Sequence, residues 1–403
     1  MASGTFLINK PLDMAGICKG GNAPRALRFK EHKDAREIIY DLQDPNTWIA
    51  DRDHRKVNKK ALKALRQVLD RATEKILNLP PIEELGVSYE PTLDPEAATE
   101  YNGVLQEARA LKVRIEQSQH KASAKELTQL MTMLQLLQKY VASPLLARRG
   151  AAAFSASAPA GSSAAEKAAH RARAAALLDE ASREPSGAMV ALRDELNQLR
   201  AQGHKQIVVA ANHTTIMKIT KQWFERDCPE QGECFTYDGD ATPEKKLRAK
   251  RDFLRCNRGV LFLSIGSGGC GLHLVRPRGP NGEIFHGCEA MIFWGSLPYS
   301  PAHVRQCMKR IHRIGQTCPV TKKVSIRYLF PYGSCDYAIG TMHGDKQSLA
   351  ALVQDGNDYG FGGDTDSQWR KAGRIVDACL PMLESGCFAP MPQHKIDPLT
   401  NQP

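Results

Sequence analysis

Gln206-Ile-Val-Val-Ala-Ala211 is a short, continuous apolar run, bounded by Gly203 and Asn212. Its length and β-branched content suit a strand buried on both faces, where strict alternation of polar and apolar residues is not needed. Elements alternate on either side of it. Upstream, Met189, Leu192, Leu196 and Leu199 mark one helix face. Downstream, the pattern predicts a helix over Ile216–Arg226, a short strand over Glu233–Tyr237, a charged helix over Pro243–Arg255 and an apolar strand over Val260–Ile265. Further strands are predicted over Ala290–Trp294 and Lys323–Phe330, with a last helix over Tyr337–Val353. Repeated βα units imply an α/β fold, a parallel sheet with helices on both faces. In such sheets function is expected at the carboxyl ends of the strands.

The region before this alternation reads as mainly helical. Leu62, Leu65, Leu69, Ala72 and Ile76 share one face, as do Leu127, Leu130, Leu134, Leu137 and Val141. A helix over Asp94–Val113 carries Tyr101, and Pro80-Pro81 and Pro144 act as stops. These stripes are read as core packing. Between the two regions, Ala151–Ala176 is rich in Ala and Ser, with Pro159 and Gly161 inside it, and reads as a linker that turns helical towards its end. The expected organisation is a helical region over 1–149, a linker over 150–185, an α/β domain over 186–353 and a loose Gly-, Asp- and Pro-rich tail over 354–403.

With 403 residues the chain can build a sizeable core. Its 55 basic and 44 acidic residues give a formal net charge of +11, which suits a polyanionic partner. Eleven cysteines lie between Cys18 and Cys387 with no Cys-x-x-Cys pair, so neither a zinc site nor a disulfide framework is expected. They read as reduced thiols of a cytosolic or nuclear protein. No apolar run is long enough to span a membrane, and Met1–Lys10 has no signal-peptide core.

Two stretches carry chemistry. Gln306-Cys-Met-Lys-Arg-Ile-His-Arg-Ile-Gly-Gln316 places Gln306, Arg310 and Arg313 at i, i+4 and i+7, one face of a predicted helix. Ser300 is its expected N-cap, Pro301 its first residue and Gly315 its stop. Two guanidiniums and an amide on one face can grip phosphate oxygens; a solvated basic helix is the plainer alternative. The second stretch, Gly266-Ser-Gly268-Gly269-Cys-Gly271, follows a strand and matches the dinucleotide fingerprint G-x-G-x-x-G. That fingerprint requires a long helix opening at its third glycine. Pro277, Gly279, Pro280 and Gly282 leave no room for one, which argues against an oxidoreductase. The glycines can still bring backbone N–H groups close to a phosphate. Asp179-Glu180-Ala181-Ser182 faintly resembles an acidic magnesium box, but an Ala/Arg helix precedes it where an apolar strand is required.

Together these stretches resemble the second RecA-like lobe of the Swi/Snf-like superfamily 2 ATPases. Ser264–Leu274 resembles helicase motif V and Gln306–Gln316 resembles motif VI, down to His312-Arg313-Ile314-Gly315-Gln316. Lys205–Asn212 resembles motif IV, and Tyr237-Asp238-Gly239, with Phe253 closing the next helix, resembles the family's Asp-Gly turn and helix. Gly333–Asp336, with Lys346 and Leu349, is similar to the brace helix. Arg71–Lys75 and Asn78–Pro81 are similar to the end of the first lobe, and Tyr101 with Leu127–Leu146 to the segment joining the lobes. The resemblance implies a motor that hydrolyses ATP with Mg2+ while moving on duplex DNA or nucleosomes, in the nucleus, with the cytoplasm or a viral factory as alternatives. Arg310 and Arg313 would be arginine fingers, with Gln306 ordering the same face. Ser264, Gly268, Gly269 and Gly271 would couple nucleotide to DNA. Asn212, Asp238, Gly239 and His273 would lie near the DNA backbone.

The chain departs from the family pattern. It contains no G-x-x-x-x-G-K-[ST] loop and no acidic magnesium box, so ATP would be held mainly by a first RecA-like lobe acting in cis or in trans. His273 stands where the family has Asn, Ser296 where it has Asp, and Val275–Gly287 is an insertion. ATP hydrolysis by this chain alone is not expected. The alternative function is a non-catalytic DNA- or protein-binding remnant of such a motor, with a dinucleotide-binding oxidoreductase a distant third.

Overall fold

The computed structural model describes residues 79–117, 124–155, 161–268, 272–275, 288–298, 301–313, 316, 318, 321–340 and 375–377. Six strands form one sheet in the order β1-β6-β5-β2-β4-β3. They are β1 (Ile82–Tyr89), β2 (Gln206–Ala211), β3 (Glu233–Tyr237), β4 (Gly259–Ser264), β5 (Ala290–Phe293) and β6 (Val324–Pro331). Every neighbouring pair is parallel. The helices are α1 (Pro95–Gln117), α2 (Ala124–Ala142), α3 (Pro144–Arg149), α4 (Ala164–Arg183), α5 (Gly187–Ala201), α6 (Thr214–Asp227), α7 (Pro243–Arg255), the single turn α8 (Ile265–Gly268) and α9 (Pro301–Met308). The predicted α/β architecture is present, with β2, β3 and α7 on their expected residues.

The period-2 geometry of the strands divides the core between two faces. Val208 and Ala210 point to one side with Leu261, Leu263, Met291 and Phe293, where Tyr101, Leu134, Phe253 and Val304 cover them. Ile207, Val209 and Ala211 point to the other with Val260, Phe262 and Ile292, under Leu192, Leu196, Ile216 and Trp223. Burial on both faces explains why β2, β4 and β5 read as unbroken apolar runs. Below the sheet, the Arg200 guanidinium donates to the carbonyls of His204 (3.0 Å), Gln231 (2.9 Å) and Gly259 (3.0 Å), which staples the amino ends of β2, β3 and β4 together.

The described part of the N-terminal region is mainly helical, as expected, with β1 inside it extending the sheet beside β6 in the register Ile82↔Val324. Two expectations change. The segment read as a linker carries a 20-residue helix, α4, which starts earlier than expected. Ser163 begins it with a full capping box: Glu166 N–H donates to Ser163 Oγ (3.2 Å) and Ser163 N–H donates to Glu166 Oε2 (2.7 Å). α4 is pinned to α6, with Arg226 donating to the Ser182 carbonyl at 2.5 Å. Asp179 lies on this helix and pairs with Arg183 at 2.5 Å. The α1 helix also runs further than predicted. Asp94 Oδ1 accepts from Ala97 N–H at 2.8 Å at its start. The helical stripe over Lys60–Leu77, the resemblance at Arg71–Lys75 and the tail over 354–403, apart from 375–377, lie outside the described residues.

Candidate phosphate and nucleic-acid site

The predicted site residues form two groups at opposite ends of the sheet. At the carboxyl ends, the pairs Ala211↔Ser264 and Tyr237↔Leu263 set the exits of β2, β4 and β3 side by side. Asn212 is exposed just past β2, and Ser264 is the buried last residue of β4. Asp238 follows β3 and is buried, whereas Gly239 is exposed. Asp238 Oδ1 accepts from the N–H groups of Asp240 (3.1 Å) and Ala241 (3.0 Å), so this carboxylate shapes its own turn. Gly268 closes α8, while Gly269 and Gly271 lie outside the described residues.

The arginines are elsewhere, and their local structure differs from the prediction. α9 ends at Met308, so Arg310 and Arg313 lie on a turn beyond it and do not share a helix face with Gln306. The backbone passes from Lys309 N–H→Arg305 O (3.1 Å) to Arg310 N–H→Cys307 O (2.9 Å) and Ile311 N–H→Met308 O (3.1 Å), the closer spacing of a 3₁₀ turn, and Met308 O also accepts from His312 N–H (3.2 Å). The Arg310 carbonyl, which a continuing helix would use internally, accepts from Leu274 N–H at 3.1 Å. Leu274 O in turn accepts from Cys288 N–H (3.2 Å), and Gln316 Nε2 donates to Cys288 O (2.9 Å), just before β5 begins. The expected cap and stop at Ser300 and Gly315 lie outside the described residues.

Two side chains fix this turn. His312 is buried, and its Nε2 lies 2.8 Å from Pro80 O, just before β1. A carbonyl only accepts, so Nε2 carries the proton and Nδ1 faces Lys309 Nζ at 3.4 Å. Arg313 Nε donates to Lys309 O at 2.7 Å, which folds the side chain along its own turn. The turn therefore sits near the amino ends of β5 and β1, away from the Asn212, Ser264 and Asp238 group at the carboxyl ends.

The cations of the turn act on one another. Burial, and then the Arg310 charge, hold the Arg313 guanidinium below its ordinary pKa. Burial, then Arg313, and more weakly Lys250 of α7 hold the His273 imidazole below its usual range. The resemblance groups His273 with the DNA-facing residues, whereas the structure sets it beside the arginines. Sequence reasoning missed Lys250, Lys309, Leu274 and Pro80. The basic run of α7 was the one available signal, since the other contacts are made by backbone or across long separations.

Among the described residues no group of three or more His, Cys, Asp or Glu side chains is placed to hold a metal ion. None of their helices is long and apolar enough to cross a membrane. Burial pushes the Cys288 and Cys307 thiols up to about 12, so they are inert at neutral pH.

No family model and no curated protein matches the chain. Solved structures do. The C-terminal part of the Fun30 ATPase domain is 18% identical with a TM-score of 0.48, over 74% of this chain and 99% of that one. The Sulfolobus solfataricus SWI2/SNF2 ATPase core in complex with dsDNA is 17% identical with a TM-score of 0.44, over 75% of this chain and 54% of that one, so the chain spans about half that core's length. The Pyrococcus furiosus Hef helicase domain is 16% identical with a TM-score of 0.38, over 70% and 64% of the two chains. The functional reading rests on this chain's own residues.

Proposed function

We propose that the chain is the second RecA-like lobe of a Swi/Snf-like, DNA-dependent ATPase, and that Arg310 and Arg313 serve a nucleotide held by a first lobe. The observation that carries this reading is the hydrogen bond from Leu274 N–H to Arg310 O. It joins the exit of the glycine loop to the arginine turn, the two segments whose sequences resemble motifs V and VI. The arginines would neutralise charge on the oxygens of the transferring phosphoryl group. ATP with Mg2+ would be bound mainly by the first lobe. Asn212, the Asp238-Gly239 turn and Ser264 would face duplex DNA through phosphate contacts, which are salt-sensitive and independent of sequence. One sheet carries both ends, so a shift of the lobe on nucleotide turnover would move the DNA-facing edge as a unit.

The purified chain alone should hydrolyse ATP at the background rate, with or without duplex DNA, because it has no phosphate loop of its own. Phosphate release measured over a range of duplex concentrations checks this. A substantial DNA-stimulated rate that Arg313→Ala abolishes would contradict the dependence on a first lobe.

A further inference from the structure

Residues 272–275 leave the glycine loop and lie along the arginine turn, held there by Leu274 N–H on Arg310 O at 3.1 Å. His273 is half-buried in this position. Its Nδ1 is 3.0 Å from Val275 O. Because the carbonyl can only accept, Nδ1 carries the ring proton and Nε2 keeps its lone pair. Nε2 is therefore the nitrogen that gains or loses a proton. The charged groups acting on the ring are Arg313 of the turn and Lys250 of α7, and Arg310 acts in turn on Arg313. All are cations. With burial, they disfavour the imidazolium when no anion is present, against the opposing pull of the Val275 carbonyl.

We propose that His273 is the proton-linked member of an oxyanion site shared with Arg310 and Arg313, and that it holds the phosphate end of a polyphosphate ligand as an imidazolium. An arriving anion offsets the fields of Arg313 and Lys250 and supplies an acceptor for Nε2–H. Binding and protonation then favour each other. Affinity rises as pH falls through the imidazole range, by up to about tenfold per pH unit where a whole proton is taken up. An Asn at this position, as in the resembled family, could contact phosphate but could not add charge. The inference rests on the arginine turn being a phosphate site.

The test is calorimetric titration of the full chain with inorganic triphosphate between about pH 8 and about pH 6, with His273→Asn run in parallel. The phosphate's own protonation affects both proteins alike and cancels in their ratio. The wild-type to variant affinity ratio should lie near unity at the upper pH and rise roughly tenfold across the series. A ratio that stays flat while both proteins bind overturns the role of His273 and leaves the arginine site standing. Absence of triphosphate binding by the wild type at every pH overturns the site and the inference together. If His273→Asn does not fold, His273→Gln serves the same comparison.

Discussion

Arg327→Ala should lower the unfolding free energy by about 3–5 kcal/mol, the range for stripping one partner from a buried ion pair. Arg327 lies in the middle of β6 with its side chain 5% exposed. Its Nε is 3.2 Å from Glu195 Oε1 on α5, and that carboxylate is 4% exposed. Its second terminal nitrogen reaches Glu83 Oε2 on β1 at 3.1 Å. Alanine takes the guanidinium from the enclosed Glu195 side chain and leaves a cavity in the layer between α5 and the sheet. Glu83 is less affected because it is partly exposed and also pairs with Lys323. Urea unfolding measures the loss, and a change below about 1 kcal/mol would rule out the buried pair as described. Removing both charges in Arg327→Met with Glu195→Leu should restore stability to within about 1 kcal/mol of wild type, because an apolar pair of similar volume avoids the desolvation penalty.

Asp336→Asn should act in the opposite direction and depend on pH. Asp336 is buried at the start of the helix after β6, where Gln138 Nε2 of α2 donates to its Oδ1 at 2.6 Å. Burial raises its pKa to about 7, against the opposing pull of the Gln138 and Leu297 N–H bonds. The folded state thus favours the protonated acid. Its stabilising effect is complete below the ordinary value of 3.8 and is lost as pH rises through about 7. Asparagine removes this dependence while keeping an acceptor for Gln138 and Leu297. The variant should match wild type near about pH 4 and exceed it near about pH 8 by on the order of 2–4 kcal/mol. Melting curves across this range decide it. An equal shift at both ends would mean that Asp336 does not titrate in the folded protein.

The parts of the fold that were legible in the sequence are those governed by local rules. β2, β4 and β5 are buried on both faces, so their apolar runs identify them without reference to partners. α7 begins at Pro243 behind Thr242, whose Oγ1 accepts from Lys245 N–H at 3.4 Å, and this cap is visible as a pattern. β1 was not legible because Ile-Glu-Glu-Leu-Gly-Val-Ser-Tyr mixes acids with apolar residues, as suits an edge strand. Its acids are meaningful only beside β6, where Glu83 meets Lys323 and Arg327 and Glu84 Oε2 accepts from the Tyr328 hydroxyl at 3.0 Å.

The site divides in the same way. The spacing of Arg310 and Arg313 marks them as one candidate group, but their local geometry is not legible from it. Spacing predicts a helix as far as Ile314, whereas the helix ends at Met308 and the Arg310 carbonyl beyond it accepts from Leu274 N–H. The same bond carries His273 from the expected DNA edge to the arginines. Nothing in the local sequence of either segment encodes that meeting, because it depends on the path of the chain between β4 and β5.

The central claim is that the turn over residues 309–313 is built to hold phosphate. Calorimetric titration of the full chain with inorganic triphosphate, wild type against Arg310→Ala with Arg313→Ala, tests it most directly. Each lost charge-assisted contact should weaken binding on the order of tenfold, so the double variant should lose about a hundredfold while keeping its fold by circular dichroism. Equal affinity in the two proteins, or no binding by the wild type, would contradict the account.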